Sequence, residues 1–569
     1  MKMDLKTVKN VLLDERNVES INCIREQRYL SKTYDCLVYC TLVVDGKQIP
    51  IAIGINDTWR TNLFDFYIRD YSIFPFIPHV DKNGKICLYD MEAALVAPQF
   101  DGVLVQCVHQ AINIIRSGIS GDNKTDFIEE FNSYWAQLSN AIEAKFDAPT
   151  DRKNGLQKYI YELPKVKASA KYVEKKKQIA ATVLYSCPVG SDMFNTWEVK
   201  GTQKNGLYIC ADLDEYLFPP DPRQNLSLDY VNMLLGLVSA ESIEHYVRKI
   251  GSTLVVVFDL LQPNGSRVII GAYCTRAEAT VIQGKYRLSS KSNVQPISIT
   301  RLDTVFLQSR TADTSNPLCG KRFLLIGCGS IGGFLSEMLS KSGCNDLTII
   351  DSQLFLEENI YRNVLGMRYV GQYKASALAD YLQNDVPGIK VTPISDRIED
   401  LVTEGSIDFQ EYDCILAATG NHNVNRWINS YMKSKGIKIP VVYSWNEPLD
   451  IGCHVLFIDY DTDGDYEKIF ADEGDSNYDK TAYCCSNQII TRNLSGCGGS
   501  YIPYGSEVSI QSAMLTVDTI KRYYTGRITG SLVLSCKGNG YFFHCAGLKH
   551  TKRYESQADM IVEENLSDY

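Results

Sequence analysis

Three glycines, Gly327, Gly329 and Gly332, fall between the apolar run RFLLI (322–326) and a stretch with apolar residues at helical spacing, and they constrain this chain more than any other feature. A G-x-G-x-x-G step between a strand and a helix lets the backbone turn tightly and approach a phosphate. The free N–H groups and positive end of the helix then face the anion. The next apolar run closes on Asp351, at the roughly 20-residue distance where a carboxylate accepts hydrogen bonds from ribose hydroxyls. Further buried-strand runs, DCILAAT (413–419) and KIPVVYSW (438–445), alternate with helical stretches. That alternation predicts a doubly wound, mostly parallel sheet. Up to this point a nicotinamide dehydrogenase fits as well as any other nucleotide enzyme.

The residues after Asp351 decide between them. Asn359, Arg362 and Lys374 are spaced as polar groups aimed at one polyphosphate. Arg362 and Lys374 supply two cations for the negative charge that develops when a carboxylate attacks the α-phosphate of ATP, a need a dehydrogenase does not have. The steps E-N-I-x-R-N (358–363) and V-G-x-x-K (370–374) resemble the adenylation domain of ubiquitin-activating enzymes and of the bacterial MoeB and ThiF sulfur-carrier activators. The resemblance covers about residues 320 to 530. It implies a Rossmann-like domain that binds ATP through Gly327, Gly329, Gly332, Asp351, Asn359, Arg362 and Lys374, and that pairs as a homodimer. In that family a Thr-Asp-Asn step places an aspartate on Mg²⁺; here it reads Thr419-Gly420-Asn421. Asn421 keeps part of the role. Magnesium is still expected with ATP, without an assignable ligand.

Two cysteines stand out among eighteen that show no framework spacing. Cys497 lies in LSGCGGSYIPYGSE, a glycine-rich stretch shortly before a helix that starts near Ser506. Such a segment can carry a thiol to an acyl-adenylate, and a helix N-terminus lowers a thiol pKa. The position resembles the crossover-loop cysteine of ubiquitin-activating enzymes; Cys484 and Cys485 are the rivals. Cys87 lies in PHVDKNGKICLYD, which resembles the signature of ubiquitin-conjugating enzymes. His79 stands where that family has an asparagine that steadies the oxyanion, and a ring N–H can donate the same bond. Adjacent Cys484 and Cys485, with Cys536 and Cys545 nine apart, do not make the closely spaced pairs that tetrahedral zinc takes, so no metal site is expected from them.

The rest of the chain sets the frame. Residues 37–55 read as a β-hairpin turning at Asp45-Gly46, residues 102–118 as a helix, and a second helix is expected over 126–144. A second hairpin spans 252–273, turning at Pro263-Asn264-Gly265, and the tail from about 548 reads as polar and partly loose. The expected architecture is an α/β multidomain chain. An α+β ubiquitin-conjugating-like domain covers 1–150, a mixed α/β linker domain 151–310 and a doubly wound adenylation domain 311–569. A formal charge of −10 and a pI near 5.4 argue against a nucleic-acid partner. No signal peptide or membrane span is read, which places the chain in the cytoplasm with reduced thiols.

A conjugating-type domain, a linker and an activating domain in one chain resemble the fused ubiquitin-transferase-like proteins associated with CD-NTases in CBASS antiphage operons. The resemblance implies that the substrate is the C-terminus of a cGAS-like nucleotidyltransferase. It also implies an acyl relay from Cys497 to Cys87 and ligation to an amine of a target. Two alternatives remain open on the sequence: activation of a small sulfur-carrier protein, and a non-catalytic scaffold that binds ATP and a carboxyl terminus.

Overall fold

The computed structural model describes residues 5–569 apart from 90–95, 150, 163–182, 189–198, 200, 310–315, 463, 472–477, 487 and 494–499. It divides into two compact units, Met1–Leu302 and Asp303–Tyr569.

The first unit begins with a helix, α1 (Leu5–Leu13), and an antiparallel sheet in sequence order, β1 (Val18–Tyr29), β2 (Lys32–Val44), β3 (Lys47–Ile55), β4 (Asp65–Ile68) and β5 (Lys85–Ile86). Asp45 and Gly46 both have positive φ (50° and 79°), the type I′ geometry that matches strand twist, and they set Val44 opposite Lys47. Helix α2 (Phe100–Ser120) lays Val103, Leu104, Cys107, Val108, Ala111, Ile112 and Ile115 on the sheet, the one-sided spacing of an amphipathic helix. It runs two residues past the expected stop at Gly118 and is capped by Gly121 in the left-handed region. Gly118 has a different use: a Cβ there would stand 2.7 Å from Ile77, so the bare backbone lets the segment leading to Cys87 lie against the helix.

The expected long helix over 126–144 is not formed. Two short helices, α3 (Asp126–Glu129) and α4 (Phe131–Gln137), are separated by a break at Glu130 (φ −91°, ψ 5°). After Asn140 (φ 59°) the chain enters β6 (Ile142–Phe146). Burial of Ala144 and Phe146 among strands distant in sequence outweighs local helix propensity.

The region read as a mixed linker is a closed barrel. β6 is joined by β7 (Gly155–Glu162), β8 (Val183–Pro188), β9 (Lys204–Asp212), β10 (Thr253–Leu261) and β11 (Arg267–Thr275). A small hairpin, β12 (Ala279–Ile282) and β13 (Lys285–Leu288), precedes the last barrel strand, β14 (Asn293–Arg301). The barrel order is β10-β11-β14-β6-β8-β7-β9. Its wall holds a fully buried carboxylate, Asp259, which accepts hydrogen bonds from Arg267, Arg152 and the Tyr208 hydroxyl. Burial works against the charge on Asp259, yet the hydrogen bonds from Arg267 and Tyr208 hold its carboxyl below the ordinary carboxylate range. The barrel also grips the conjugating-type domain. Trp135 Nε1 donates to the Ile297 carbonyl at 3.0 Å, and the Arg223 guanidinium donates to the carbonyls of Tyr71 and Phe74 while covering the Tyr71 ring.

The second unit is built on an eight-stranded sheet. β15 (Arg322–Ile326), β16 (Asp346–Ile350), β17 (Lys390–Ile394), β18 (Cys414–Ala417) and β19 (Val441–Asn446) are parallel. β20 (Gly452–Ile458) turns the sheet antiparallel, and β21 (Arg492–Asn493) and β22 (Ser500–Tyr501) form a separate ribbon. β23 (Leu532–Lys537) and β24 (Ile561–Asn565) then extend the sheet, giving the order β17-β16-β15-β18-β19-β20-β23-β24. The tail read as partly loose is thus the edge strand: β24 pairs with β23 from Leu532↔Asn565 to Cys536↔Ile561, and Leu566 is 2% exposed. Exposed and half-covered residues alternate along it, Glu563 and Asn565 among the exposed ones, as expected of an edge strand. Among the described residues no helix is long and apolar enough to cross a membrane.

Candidate functional site

The doubly wound part places its glycine turn where sheet direction reverses. β16 and β17 lie on one side of β15, β18 and β19 on the other, and the crevice beyond their carboxyl ends is where such sheets bind ligands. Gly327 has φ 96°, and a Cβ on it would stand 2.6 Å from the Ala418 carbonyl oxygen. A Cβ on Gly332 would fall 1.9 Å from the Gly327 oxygen. Both glycines are required by packing. Gly329, the N-cap of the helix Ser330–Lys341, faces open space, so only an incoming group would contest that room.

Around this turn the side chains are held by one another. Asp351 accepts the Cys328 N–H (2.8 Å) on one oxygen and the Gln353 N–H (2.8 Å) on the other. Lys374 is buried at the start of the helix Lys374–Asp385 and donates to Gln353 Oε1 at 2.7 Å. Asn359 Oδ1 accepts the Leu356 N–H and shapes the short helix Glu357–Arg362, which carries Arg362. The Arg362 guanidinium lies over the Tyr504 ring at 5.2 Å, and the Tyr504 hydroxyl meets Ser330 Oγ at 3.1 Å. Arg362 therefore sits at the head of the glycine-turn helix. Asn421 caps the helix His422–Lys435 and accepts the Asn423 N–H, while Thr419 bonds Asn425 at 2.9 Å. Gly420 (φ 63°) has no side chain to offer a cation. Among the described residues no three His, Cys, Asp or Glu side chains come together as a metal cage. The step Thr419-Gly420-Asn421 thus offers no carboxylate to a magnesium ion.

Asn363 was passed over in the sequence although it closes the E-N-I-x-R-N step. It is buried, donates to the carbonyls of Cys328 (3.2 Å) and Gly329 (3.0 Å), and accepts the Leu365 N–H. It fixes the turn itself. Gln353 and Tyr504, the partners of Lys374 and Arg362, carry no motif and could be found only in three dimensions.

The second site is the groove around Cys87, about 700 Å³, lined among others by Tyr34, Asp65, His79, Asp81, Lys85 and Glu130. Cys87 is exposed. Its loop is tied in a knot of short-range bonds: Asp81 Oδ1 accepts the N–H groups of Asn83 and Lys85, and the Asp81 N–H donates to the Lys85 carbonyl. Gly84 (φ 80°) is needed because a Cβ there would lie 2.5 Å from the Ile68 carbonyl oxygen. The N-G-K-I-C-L motif is therefore a turn that delivers Cys87 to the end of β5. The Cys87 N–H donates to the His79 carbonyl at 2.7 Å. Opposite, Asp65 is gripped by Lys32 (2.9 Å), Lys85 (2.6 Å) and the Tyr34 hydroxyl (2.7 Å).

His79 does not stand as a free hydrogen-bond donor. Nδ1 meets Glu130 Oε1 at 2.9 Å, Nε2 meets Asp126 Oδ2 at 3.0 Å, and the His79 backbone N–H donates to Glu130 Oε2 at 3.1 Å. An oxyanion bond from this ring would first require one of those contacts to open. The bond to Glu130, with Asp126 adding to it against burial, raises the imidazole pKa to about 9. Burial works against the charge on Glu130, yet the hydrogen bonds from His79 and Tyr134 hold it below its ordinary range. Asp126 and Glu130 were missed in the sequence; their i, i+4 spacing on a helical stretch was the available signal.

Cys497 lies outside the described residues. Of its rivals, Cys484 is buried with its thiol pushed up to about 12 by that burial, and Cys485 Sγ rests 3.3 Å from the His550 carbonyl oxygen. Neither is presented as a nucleophile.

The two sites define a chain that joins an E2-type cysteine domain to a ThiF-type nucleotide domain. Residues 302–525 match the ThiF family, and residues 19–143 match the prokaryotic E2 family B. The chain is similar over most of its length to the ATP-dependent ubiquitin transferase-like proteins Cap2. It is 24% identical to that of Pseudomonas aeruginosa (strain BWHPSA011 / Pa011), over 80% of this chain and 82% of the relative. It is 25% identical to that of Escherichia coli (strain TW11681), over 87% of each. Among solved structures, E. coli MccB with MccA-N7isoASN matches 44% of this chain and 65% of its own, with 16% identity and a TM-score of 0.29.

Proposed function

We propose that this protein activates the C-terminal carboxylate of a protein with ATP and transfers it through Cys497 and Cys87 to an amine. The observation that carries the reading is an exposed cysteine in an open groove, on an E2-type domain, in the same chain as a ThiF-type glycine turn flanked by Lys374 and Arg362. Similarity to the Cap2 relatives, which are ATP-dependent ubiquitin transferase-like proteins, supports it.

The substrate carboxylate attacks the α-phosphorus of ATP, forming an acyl-adenylate and releasing pyrophosphate. Gly329, at the helix N-terminus, and the cations of Lys374 and Arg362 meet the phosphate charge that builds in that step. The Cys497 thiolate then attacks the acyl carbon and AMP leaves. The Cys87 thiolate takes the acyl group and returns Cys497 to its thiolate. Finally an amine, a lysine of the target, attacks the Cys87 thioester, gives up a proton, and leaves an amide and the free thiol. Both sulfurs belong to one chain, so the exchange runs at the effective concentration a tether sets. The motif resemblance to CBASS proteins supports a CD-NTase C-terminus as the substrate, a cytoplasmic antiphage role, and homodimerisation through the ThiF-type domain.

The test is mass analysis under non-reducing conditions with ATP and a CD-NTase as substrate. Wild type is expected to carry a thiol-labile adduct on both cysteines. Cys497→Ala is expected to lose the adduct on Cys87, whereas Cys87→Ala retains the one on Cys497. Adduct on Cys87 without Cys497 overturns the order; no adduct on either overturns the relay.

A further inference from the structure

We infer that His79 is a positioning residue, a doubly protonated staple that fastens the Cys87 loop to the corner between α3 and α4 through Asp126 and Glu130. The inference deepens the acyl-carrier reading of Cys87 and rests on it for its catalytic meaning.

Backbone geometry gives the first reason. His79 has φ 61°, a left-handed conformation that a side-chain-bearing residue adopts at a cost and holds only when its surroundings impose it. Here three contacts impose it: the backbone N–H and Nδ1 on the two oxygens of Glu130, and Nε2 on Asp126. Ring chemistry gives the second. A neutral imidazole has one N–H and one lone pair. At 2.9 and 3.0 Å from two carboxylates, a lone pair on either nitrogen would face an oxygen lone pair. With the carboxylates ionised, the arrangement is bonded at both ends only when both nitrogens carry protons, and the raised pKa agrees.

The same residue reaches the nucleophile. Its carbonyl accepts the Cys87 N–H at 2.7 Å, so whatever holds His79 also sets the position of Cys87. The other groups facing this corner are consistent with one cation between two anions. Tyr134 donates to Glu130 at 2.6 Å from α4, and Asp81 on the loop itself is occupied with backbone N–H groups. Lys82 ties the loop to Gln137 of α4 through its backbone N–H (2.9 Å) and Nζ (3.0 Å), a second fastening on the same helix. Lys85, on the same loop, is tied to Asp65 at 2.6 Å, a third fastening.

The staple and an oxyanion donor predict opposite outcomes for the carboxylates. Acetyl-Gly-Gly thioester is exchanged onto Cys87 of the full-length protein, and its loss to free lysine is followed by mass analysis of the Cys87 peptide. Asp126→Asn and Glu130→Gln are expected to slow that discharge by about tenfold or more, the scale set by a misplaced reacting group, and His79→Asn to do the same. All three are expected to speed hydrogen exchange of the amides at 79–87. If His79 served as the oxyanion donor, freeing a ring N–H in Asp126→Asn or Glu130→Gln would leave discharge unchanged or faster, and that result overturns the staple. A direct reading on the wild type guards against variants that fail to fold. Nitrogen-15 NMR at pH 7.5 is expected to show both His79 ring nitrogens protonated, and a neutral ring overturns the inference. If instead ATP and substrate place no adduct on Cys87, the relay fails while the loop measurements still stand or fall by themselves.

Discussion

His79 is the residue on which the conjugating-type site turns, and its charge gives a pH signature. Its folded pKa, about 9, lies above its ordinary 6.5, so the staple's stabilisation is fully present below about pH 6.5 and is lost as pH rises through about 9. Glu130 moves the other way: held below its ordinary 4.5, it contributes above that value and is lost as pH falls through its lowered pKa. Amide exchange at 79–87, corrected for its intrinsic pH dependence, should therefore be slowest between about pH 5 and 6.5 and should quicken through pH 9. A flat profile from 6 to 10 would contradict the assignment. The two kinds of glycine make a second prediction at this scale. Gly332→Ala drives a Cβ into the Gly327 carbonyl and should unfold or strongly destabilise the turn. Gly329→Ala meets no protein atom and should keep the unfolding midpoint while weakening ATP-dependent pyrophosphate exchange; equal midpoints in the two variants would contradict this.

At the scale of elements, β24 is the test of whether the C-terminal strand is structural. Leu566 follows it into a core shared with Tyr443, Tyr466 and Val533. Leu566→Ala should cost about 2 to 5 kcal/mol in the second unit, read by denaturant unfolding, while leaving Cys87 alkylation at its wild-type rate. In the barrel, Asp259→Ala takes from Arg267 its carboxylate partner, while Arg152 keeps Asp212. It should cost about 3 to 5 kcal/mol, as removal of one partner of a buried ion pair does, in the unfolding of the first unit. What the sequence made legible follows from the same physics. The β2–β3 hairpin and the strand–glycine–helix step are local patterns, written in adjacent residues. The barrel was not legible, because β6 pairs in parallel with β14 and β8, strands far away along the chain. Glu130 and Asp126 lie 51 and 47 residues from His79, so the role of that histidine could not be read from the loop that contains it. At the nucleotide turn, Gly327, Gly332, Asp351 and Lys374 were nameable from spacing, whereas Gln353, Asn363 and Tyr504 gained meaning only from what they touch.

At the scale of the whole molecule the proposed chemistry has an order, and the order can be read in half-reactions. Lys374→Ala should reduce substrate-dependent pyrophosphate exchange by at least about a hundredfold, as loss of a preorganised charge near a transition state does, and should remove adducts from both cysteines. Cys87→Ala should leave that exchange and the Cys497 adduct intact and stop the transfer from Cys497 and the amide that follows it. Exchange lost in Cys87→Ala would mean that the first unit takes part in adenylation. The grip of Arg223 on the Tyr71 and Phe74 carbonyls has a mechanical consequence. With Trp135 anchored to Ile297 and Lys124 over the Phe218 ring, the Cys87 domain and the barrel are fastened together at several points. In the proposed relay, any acyl cargo of Cys87 is therefore borne by the barrel as well, and Arg223→Ala should slacken that coupling, read as faster hydrogen exchange of the amides around Tyr71 and Phe74.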